Sequence, residues 1–303
     1  MSKFLASKSD KHLHKWGFKD SGFKSIGDKV VKFSGDRYEV SGTEMPDFIP
    51  YIEKMLDIEI EDNDKLREVD EKFVSPSKVD KKFYQELEKV FEKDKFTIEN
   101  TERLIHSHGQ ETFKDIYKVL YKSIDRLVDL VFYPESEEDV KKIIEIALKF
   151  NVCLIPYGGG TNVTRALSVP ENEKRTVVSI DTRRLSKIEW INKEDRRVCV
   201  EAGITGKNLD ELLKKEGFMI GHEPDSVELS TIGGWIATNA SGMKKNKYGN
   251  IEDIVENVYL VTPKGEINQI KPISRGSIGF KPQNMLFGSE GNLGIITKAI
   301  LKI

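Results

Sequence analysis

Residues 156–163 read Pro156-Tyr157-Gly158-Gly159-Gly160-Thr161-Asn162-Val163 and follow directly on the apolar run Val152-Cys153-Leu154-Ile155. The run reads as a buried strand and the three glycines as a turn at its carboxyl end. Glycine takes φ > 0 without strain and carries no side chain, so such a turn can wrap its N–H groups round a phosphate. Thr161 and Asn162 add hydroxyl and amide donors. Taken alone, three glycines are better explained as a flexible strand-end loop. The surroundings decide between the two.

Immediately upstream, Leu130-Val131-Phe132-Tyr133-Pro134 reads as a strand ended by proline, and Ser136 with Asp139 is a capping-box signature. Val140, Ile143, Ile144, Ala147 and Leu148 then recur on one helical face, and the helix is expected to stop near Asn151. Val177-Val178-Ser179-Ile180-Asp181 supplies the next strand. The result is a β-α-β unit with its glycine turn at a strand's carboxyl end, where open sheets place ligands. No helix opens directly after the glycines. The turn also lacks both Gly-x-Gly-x-x-Gly and Gly-x-x-x-x-Gly-Lys-Ser/Thr, which argues against nicotinamide-dinucleotide and P-loop sites.

Downstream, Ile188–Ile191 and Arg197–Glu201 pair as a hairpin across Asn192-Lys193-Glu194-Asp195. Thr205 caps a helix carrying Leu209, Leu212 and Leu213 and ending at Gly217. A second dense stretch runs from Gly221 to Gly242 and is rich in Gly, Ala, Ser and Thr. Small residues weaken a helix, so their use there argues that something large lies close to the backbone. A flat heterocycle with a pyrophosphate tail suits; tight helix packing competes for Gly233-Gly234. Val258–Thr262 and Glu266–Ile270 form another hairpin, turned by Pro263-Lys264-Gly265. The third dense stretch, Gly288-Ser289-Glu290-Gly291-Asn292-Leu293-Gly294-Ile295-Ile296, is again a glycine-rich turn entering a strand. Ile300-Leu301-Lys302-Ile303 still reads as strand, and an apolar edge invites further pairing, so the expectation is a truncated architecture.

Residues 1 to about 125 are less legible. Short strands and turns are expected around Lys15-Trp16-Gly17-Phe18 and Arg37-Tyr38-Glu39-Val40-Ser41-Gly42, with helices over 47–56, 81–92 and 112–121. The helix near 81–92 is amphipathic with mixed charges outside, which reads as a solvated face rather than a lipid-surface one. His106-Ser107-His108-Gly109 pairs two histidines at i, i+2 with no third ligand nearby, which argues against a metal.

Composition narrows the class. The 303 residues are 38% hydrophobic and 32% charged with net charge −2, which fits a globular chain and gives nucleic acid no electrostatic footing. No apolar run approaches the length of a membrane span, and the N-terminus lacks a signal-peptide core. Cys153 and Cys199 both lie in strand-like runs, so buried thiols in a reducing compartment are expected.

Pro-x-Gly-Gly-Gly-Thr-Asn at 156–162, the 224–242 segment and Gly-Ser-Glu-Gly-Asn-Leu-Gly at 288–294 together resemble the FAD-binding half of the vanillyl-alcohol oxidase flavoprotein superfamily. Within it the resemblance is to the alkylglycerone-phosphate synthase (alkyl-DHAP synthase) family. The pieces that carry it are Lys15-Trp16-Gly17, Arg37-Tyr38, Ser41-Gly42, His106-Ser107-His108-Gly109, Glu201-Ala202-Gly203-Ile204-Thr205-Gly206, Gly221-His222-Glu223-Pro224-Asp225-Ser226 and Ser241-Gly242-Met243-Lys244-Lys245-Asn246.

The resemblance implies an α+β fold of the vanillyl-alcohol oxidase type. A small parallel β-α-β sheet and a larger mixed or antiparallel sheet with helices make up residues 126–303, after a mostly helical family-specific region over 1–125. It implies non-covalently bound FAD, since relatives that tether flavin at this turn carry a histidine where this chain has Thr161. Carried over residue by residue, Pro156, Tyr157, Gly158, Gly159, Gly160, Thr161 and Asn162 would cradle the pyrophosphate. Asp225, Ser226, Val227, Glu228, Leu229, Ser230 and Thr231, with Thr238, Asn239, Ala240 and Ser241, would line the flavin and its ribityl chain. Glu290, Gly291, Asn292, Leu293, Gly294, Ile295 and Ile296 would close over the adenine side.

The implied reaction exchanges the acyl group of acyl-dihydroxyacetone phosphate for a long-chain fatty alcohol, with no net redox change. The family's acid–base groups lie in a C-terminal cap domain beyond residue 303, so residues 1–303 alone are expected to be inactive. A homodimer attached peripherally to the peroxisomal membrane is implied as well, although no targeting tripeptide ends the chain. Two alternatives share part of the evidence. One is an FAD-dependent dehydrogenase or oxidase of a 2-hydroxy acid; the other is a non-enzymatic flavin-binding scaffold or lipid-surface adaptor, with the charged helix near 81–92 as its contact.

Overall fold

The computed structural model describes residues 12, 17–61, 74–109, 112–121, 124, 126–268, 277, 279 and 281–303. Lys15 and Trp16 of the N-terminal signature and the expected strand end at 269–270 lie outside the described residues.

The N-terminal region opens with a three-stranded antiparallel sheet, β1 (Gly22–Gly27), β2 (Val30–Ser34) and β3 (Glu44–Met45), followed by helix α1 (Phe48–Leu56). Helix α2 (Lys81–Val90) starts at Asp80, whose carboxylate accepts from the Phe83 amide, and it buries Phe83 and Leu87. Strand β4 (Phe96–Thr97), α3 (Asn100–Ile105) and α4 (Phe113–Leu120) complete the region. One sheet holds strands from both sides of the 1–125 and 126–303 division. Phe96 and Thr97 pair with β5 (Leu130–Phe132), and Phe83 and Leu87 share a core with Val140, Ile143 and Ile144.

Strand β5 is buried at all three residues, the continuous apolar pattern of a sheet covered on both faces. Helix α5 (Glu137–Phe150) begins where Ser136 Oγ accepts from the Asp139 amide and ends on Asn151 in the left-handed region at φ 53°. Its acidic first turn, Glu137, Glu138 and Asp139, suits the positive end of the helix dipole. Strand β6 (Cys153–Tyr157) delivers the glycine turn, and β7 (Val177–Asp181) returns between β5 and β6. The four-stranded sheet therefore runs β4-β5-β7-β6, with the β5–β7 and β6–β7 pairs parallel.

Strands β8 (Ile188–Asn192) and β9 (Arg197–Glu201) form the expected hairpin. Helix α6 (Gly206–Lys215) is capped by Thr205, whose hydroxyl accepts from the Asn208 amide. The small-residue stretch is helical only over α7 (Ile232–Thr238), with Thr231 as cap. Two one-turn helices, α8 (Lys245–Tyr248) and α9 (Ile251–Ile254), lead into β10 (Val255–Thr262), β11 (Gly265–Ile267) and β12 (Ile295–Lys302). The second sheet runs β11-β10-β12-β9-β8 and is antiparallel throughout.

One expectation is overturned here. The terminal strand was expected as an unpaired apolar edge, but β12 lies between β10 and β9 and is hydrogen-bonded on both sides. Its burial at Ile295–Thr297 and Ala299–Leu301 reflects a central position. Leu209, Leu213, Trp235, Ile251, Val258 and Ala299 belong to the core of this second sheet, while Val261 and Ile295 reach into the core of the first. Both cysteines are free thiols, and burial pushes Cys199 up to about 11.

Candidate functional site

A cavity of about 350 Å³ lies between the two sheets. It is lined by the glycine turn from Pro156 to Asn162, by α7 and its flanks, and by Ser289, Glu290, Gly291, Gly294, Ile295 and Ile296. Its size lies within the span of about 300–1,000 Å³ usual for small-molecule sites.

Backbone contacts too close for side chains join the three segments. A Cβ on Gly158 would meet Thr231 Oγ1, and one on Gly159 would lie 2.8 Å from both the Leu229 carbonyl carbon and Ser230 Cα. A Cβ on Gly291 would lie 2.9 Å from Pro156 Cδ, so the third segment closes on the start of the first. The same segment is tied to the carboxyl end of α7, where the amides of Gly288 and Glu290 donate to the carbonyls of Ile236 and Ala237.

The glycines serve different ends. The freedom of glycine to take φ > 0 is used at one position of the three, Gly160, at φ 71°. Gly159 is required because two backbones meet there. Gly233 sits against Ala202, whose Cβ would be 2.9 Å from an added methyl, so packing accounts for it. Gly234 has only Thr231 Oγ1 near it, at 3.3 Å, and faces the cavity.

Of the residues assigned from the sequence, Ser226, Ser230, Thr231 and Thr238 to Ser241 line the cavity beside the whole 156–162 turn. Asp225, Val227, Glu228, Leu229, Asn292 and Leu293 lie outside the lining. The Val227 side chain packs near Gly206 on α6, and Leu229 presents its main chain to Gly159. The Asn292 amide and side chain both donate to Ser289 O, which closes their own turn. Glu228 stands near Tyr38, whose hydroxyl is raised by burial and by that charge.

The sequence reading missed Thr182, Pro224 and Trp235, as well as Val163, Thr164, Ala166 and Leu167 after the turn. Thr182 arrives at the end of β7 and donates to Tyr157 O at 3.1 Å. Trp235 is held by its indole N–H, which donates to Ser230 Oγ at 2.7 Å, while Ser230 Oγ in turn donates to Ser226 O at 2.8 Å. The Thr182 contact spans 25 residues and does not follow from local spacing.

The turn fits an anionic ligand. Among the described residues the backbone amides of Gly158, Gly160, Thr161 and Asn162 meet no acceptor, although each of these residues lines the cavity. Orphaned amides at a concave turn are donors available to a phosphate. His222 lies near this wall, 1% exposed, its ring edge-on to Trp235 at 4.8 Å. Neither of its ring nitrogens has a partner among the described residues, and burial lowers it to about 4.

Beneath the turn lies a buried ionic group. Asp181 accepts from Arg183 Nε at 3.0 Å and stands 2.9 Å from His106 Nε2, while His106 Nδ1 lies 2.7 Å from Glu102 O. Burial alone would raise the Asp181 carboxyl, but Arg183 and His106 hold it well below the usual carboxylate range. Tyr133 donates to Glu102 Oε2 at 2.7 Å, and burial together with that carboxylate raises its hydroxyl.

Comparison with known proteins agrees with this geometry. The FAD binding domain family matches residues 128–271. An alkyldihydroxyacetonephosphate synthase of Caenorhabditis elegans is 42% identical over 95% of this chain and 48% of its own length. One of Dictyostelium discoideum is 35% identical over 88% and 44%. A solved alkyldihydroxyacetonephosphate synthase superposes with TM-score 0.86 at 31% identity, covering 97% of this chain and 54% of that one. The chain thus spans about half the length of the relatives it matches.

Fold, turn and cavity together place the chain among FAD-binding flavoproteins of the vanillyl-alcohol oxidase type. Within that class it belongs to the alkyldihydroxyacetonephosphate synthase family, whose members it matches over nearly all of its own length.

Proposed function

We propose that the chain is the flavin-holding half of an ether-lipid enzyme that exchanges the acyl group of acyl-dihydroxyacetone phosphate for a long-chain fatty alcohol. The bond to the fatty acyl oxygen breaks, an ether bond to the alcohol oxygen forms, and a fatty acid leaves with no net oxidation or reduction. The observation that carries this reading is the 95% coverage of this chain by a relative named for that activity. That similarity includes the N-terminal region, outside the 128–271 match to the FAD binding domain.

In this reading the unpartnered amides of Gly158, Gly160, Thr161 and Asn162 hold the pyrophosphate of FAD, non-covalently because Thr161 offers no imidazole to tether flavin. Ser226, Ser230, Thr231 and Thr238 to Ser241 line the flavin and its ribityl chain. Glu290, Gly291 and Gly294 to Ile296 flank the adenine side. Bound flavin supplies an electron-poor ring able to activate a carbon beside a carbonyl, an electron sink the side chains lack. The acid–base groups for the exchange belong to a C-terminal half like that of the relatives. The 1–125 and 126–303 division, a homodimer, peripheral membrane contact and a peroxisomal location complete the proposal. Among the described residues no helix is long and apolar enough to cross a membrane.

The test is incorporation of labelled fatty alcohol into acyl-dihydroxyacetone phosphate by protein carrying this sequence joined to such a C-terminal half, beside residues 1–303 alone. Exchange with fatty-acid release by the longer protein and none by the shorter supports the reading. Bleaching of bound flavin by a lactate-like acid, with no exchange, would replace it with a 2-hydroxy-acid dehydrogenase.

A further inference from the structure

The His106-Ser107-His108-Gly109 segment has no role in the cavity lining, yet it forms the back of the glycine turn. The His106 ring lies 4.4 Å from the Tyr157 ring, centroid to centroid, and Tyr157 is almost wholly buried. The turn then folds back over this same side chain: a Cβ on Gly160 would lie 2.5 Å from the Tyr157 hydroxyl. The ring round which the turn is wound is therefore held from behind by His106, itself fixed between Glu102 O and Asp181. Arg183 reaches the ring as well, 5.6 Å from its centroid.

Gly109 closes on the turn from the same side. A Cβ there would lie 2.9 Å from Asn162 O and 3.5 Å from Gly160 O, so both carbonyls face Gly109. A trans peptide sets N–H opposite C=O, and no peptide bond among the described residues is cis. The amides of Thr161 and Val163 must then point away from Gly109. Both residues line the cavity.

We infer that His106 and Gly109 are positioning residues for the glycine turn. His106 fixes the Tyr157 ring and Gly109 admits the turn's carbonyls, so that its amides stay aimed at an anionic ligand. The inference rests on the FAD reading of the cavity and extends it to an N-terminal segment outside the 128–271 family match.

The test titrates FAD into the full 303-residue chain, followed by flavin fluorescence, for the wild type, Gly109→Ala, His106→Leu and His106→Gln, with the melting temperature of each apo-protein as a second readout. Gly109→Ala and His106→Leu are expected to raise the FAD dissociation constant about tenfold, the scale of one misdirected or unpaired buried polar group. His106→Gln keeps a donor for Asp181 and is expected to stay within about threefold of wild type, on the same scale. Apo melting temperatures should not follow that ranking. Affinities within about threefold of wild type for both Gly109→Ala and His106→Leu would overturn the inference while leaving the FAD reading intact. So would affinity losses that simply track apo stability, with Gln no better than Leu. Absence of saturable FAD binding by the wild type would instead remove the cofactor reading, and the inference with it.

Discussion

Gly159 and Leu229 meet main chain to main chain: a β-carbon on Gly159 would lie 2.8 Å from the Leu229 carbonyl carbon. This junction sets the glycine turn against the loop before α7, and so fixes one wall of the cavity against another. A side chain at this point acts on both walls at once.

Gly159→Val is therefore expected to cost about 1–3 kcal/mol through overpacking and to abolish flavin retention. The urea midpoint should fall, and the protein should purify colourless. Full flavin occupancy in the variant would show that the turn is not the phosphate cradle.

Ser230→Ala removes the acceptor of the Trp235 indole N–H and leaves that buried donor unpaired. The expected destabilisation is about 1–3 kcal/mol, more than a surface serine would give. Equilibrium denaturation measures it directly, and an unchanged midpoint would mean that the indole finds another partner.

His222 gives the stability an acid limb. Burial lowers it from 6.5 to about 4, so between those values the unfolded chain binds the proton and the folded chain does not. Stability from this residue is present above about pH 6.5 and is lost as pH falls toward 4. His222→Leu should flatten the fall of the denaturation midpoint over that window. A variant with the same acid slope as wild type would assign the slope to other groups.

Much of this arrangement was legible because it is local. The Ser136 cap, the apolar face of α5 and the β8–β9 hairpin each depend on residues a few positions apart. The position of β12 was not legible, because its partners β9 and β10 lie far back in the chain and an apolar strand reads alike at an edge or in the middle. The glycines divided in the same way. The motif marked 158–160 as a unit, but only tertiary contacts separate Gly160, which needs its left-handed backbone, from Gly159, which needs the space. His106 was visible as part of a pattern and opaque in role, since its partner Asp181 is 75 residues away.

The most direct test of the central claim is the stoichiometry and chemical state of flavin on residues 1–303. Equilibrium dialysis against FAD should show one saturable site per chain, and acid precipitation should then leave all the yellow colour in the supernatant. A chain that takes up no FAD at any accessible concentration, or a washed pellet that stays yellow, would contradict the non-covalent cradle built from Gly158, Gly160, Thr161 and Asn162.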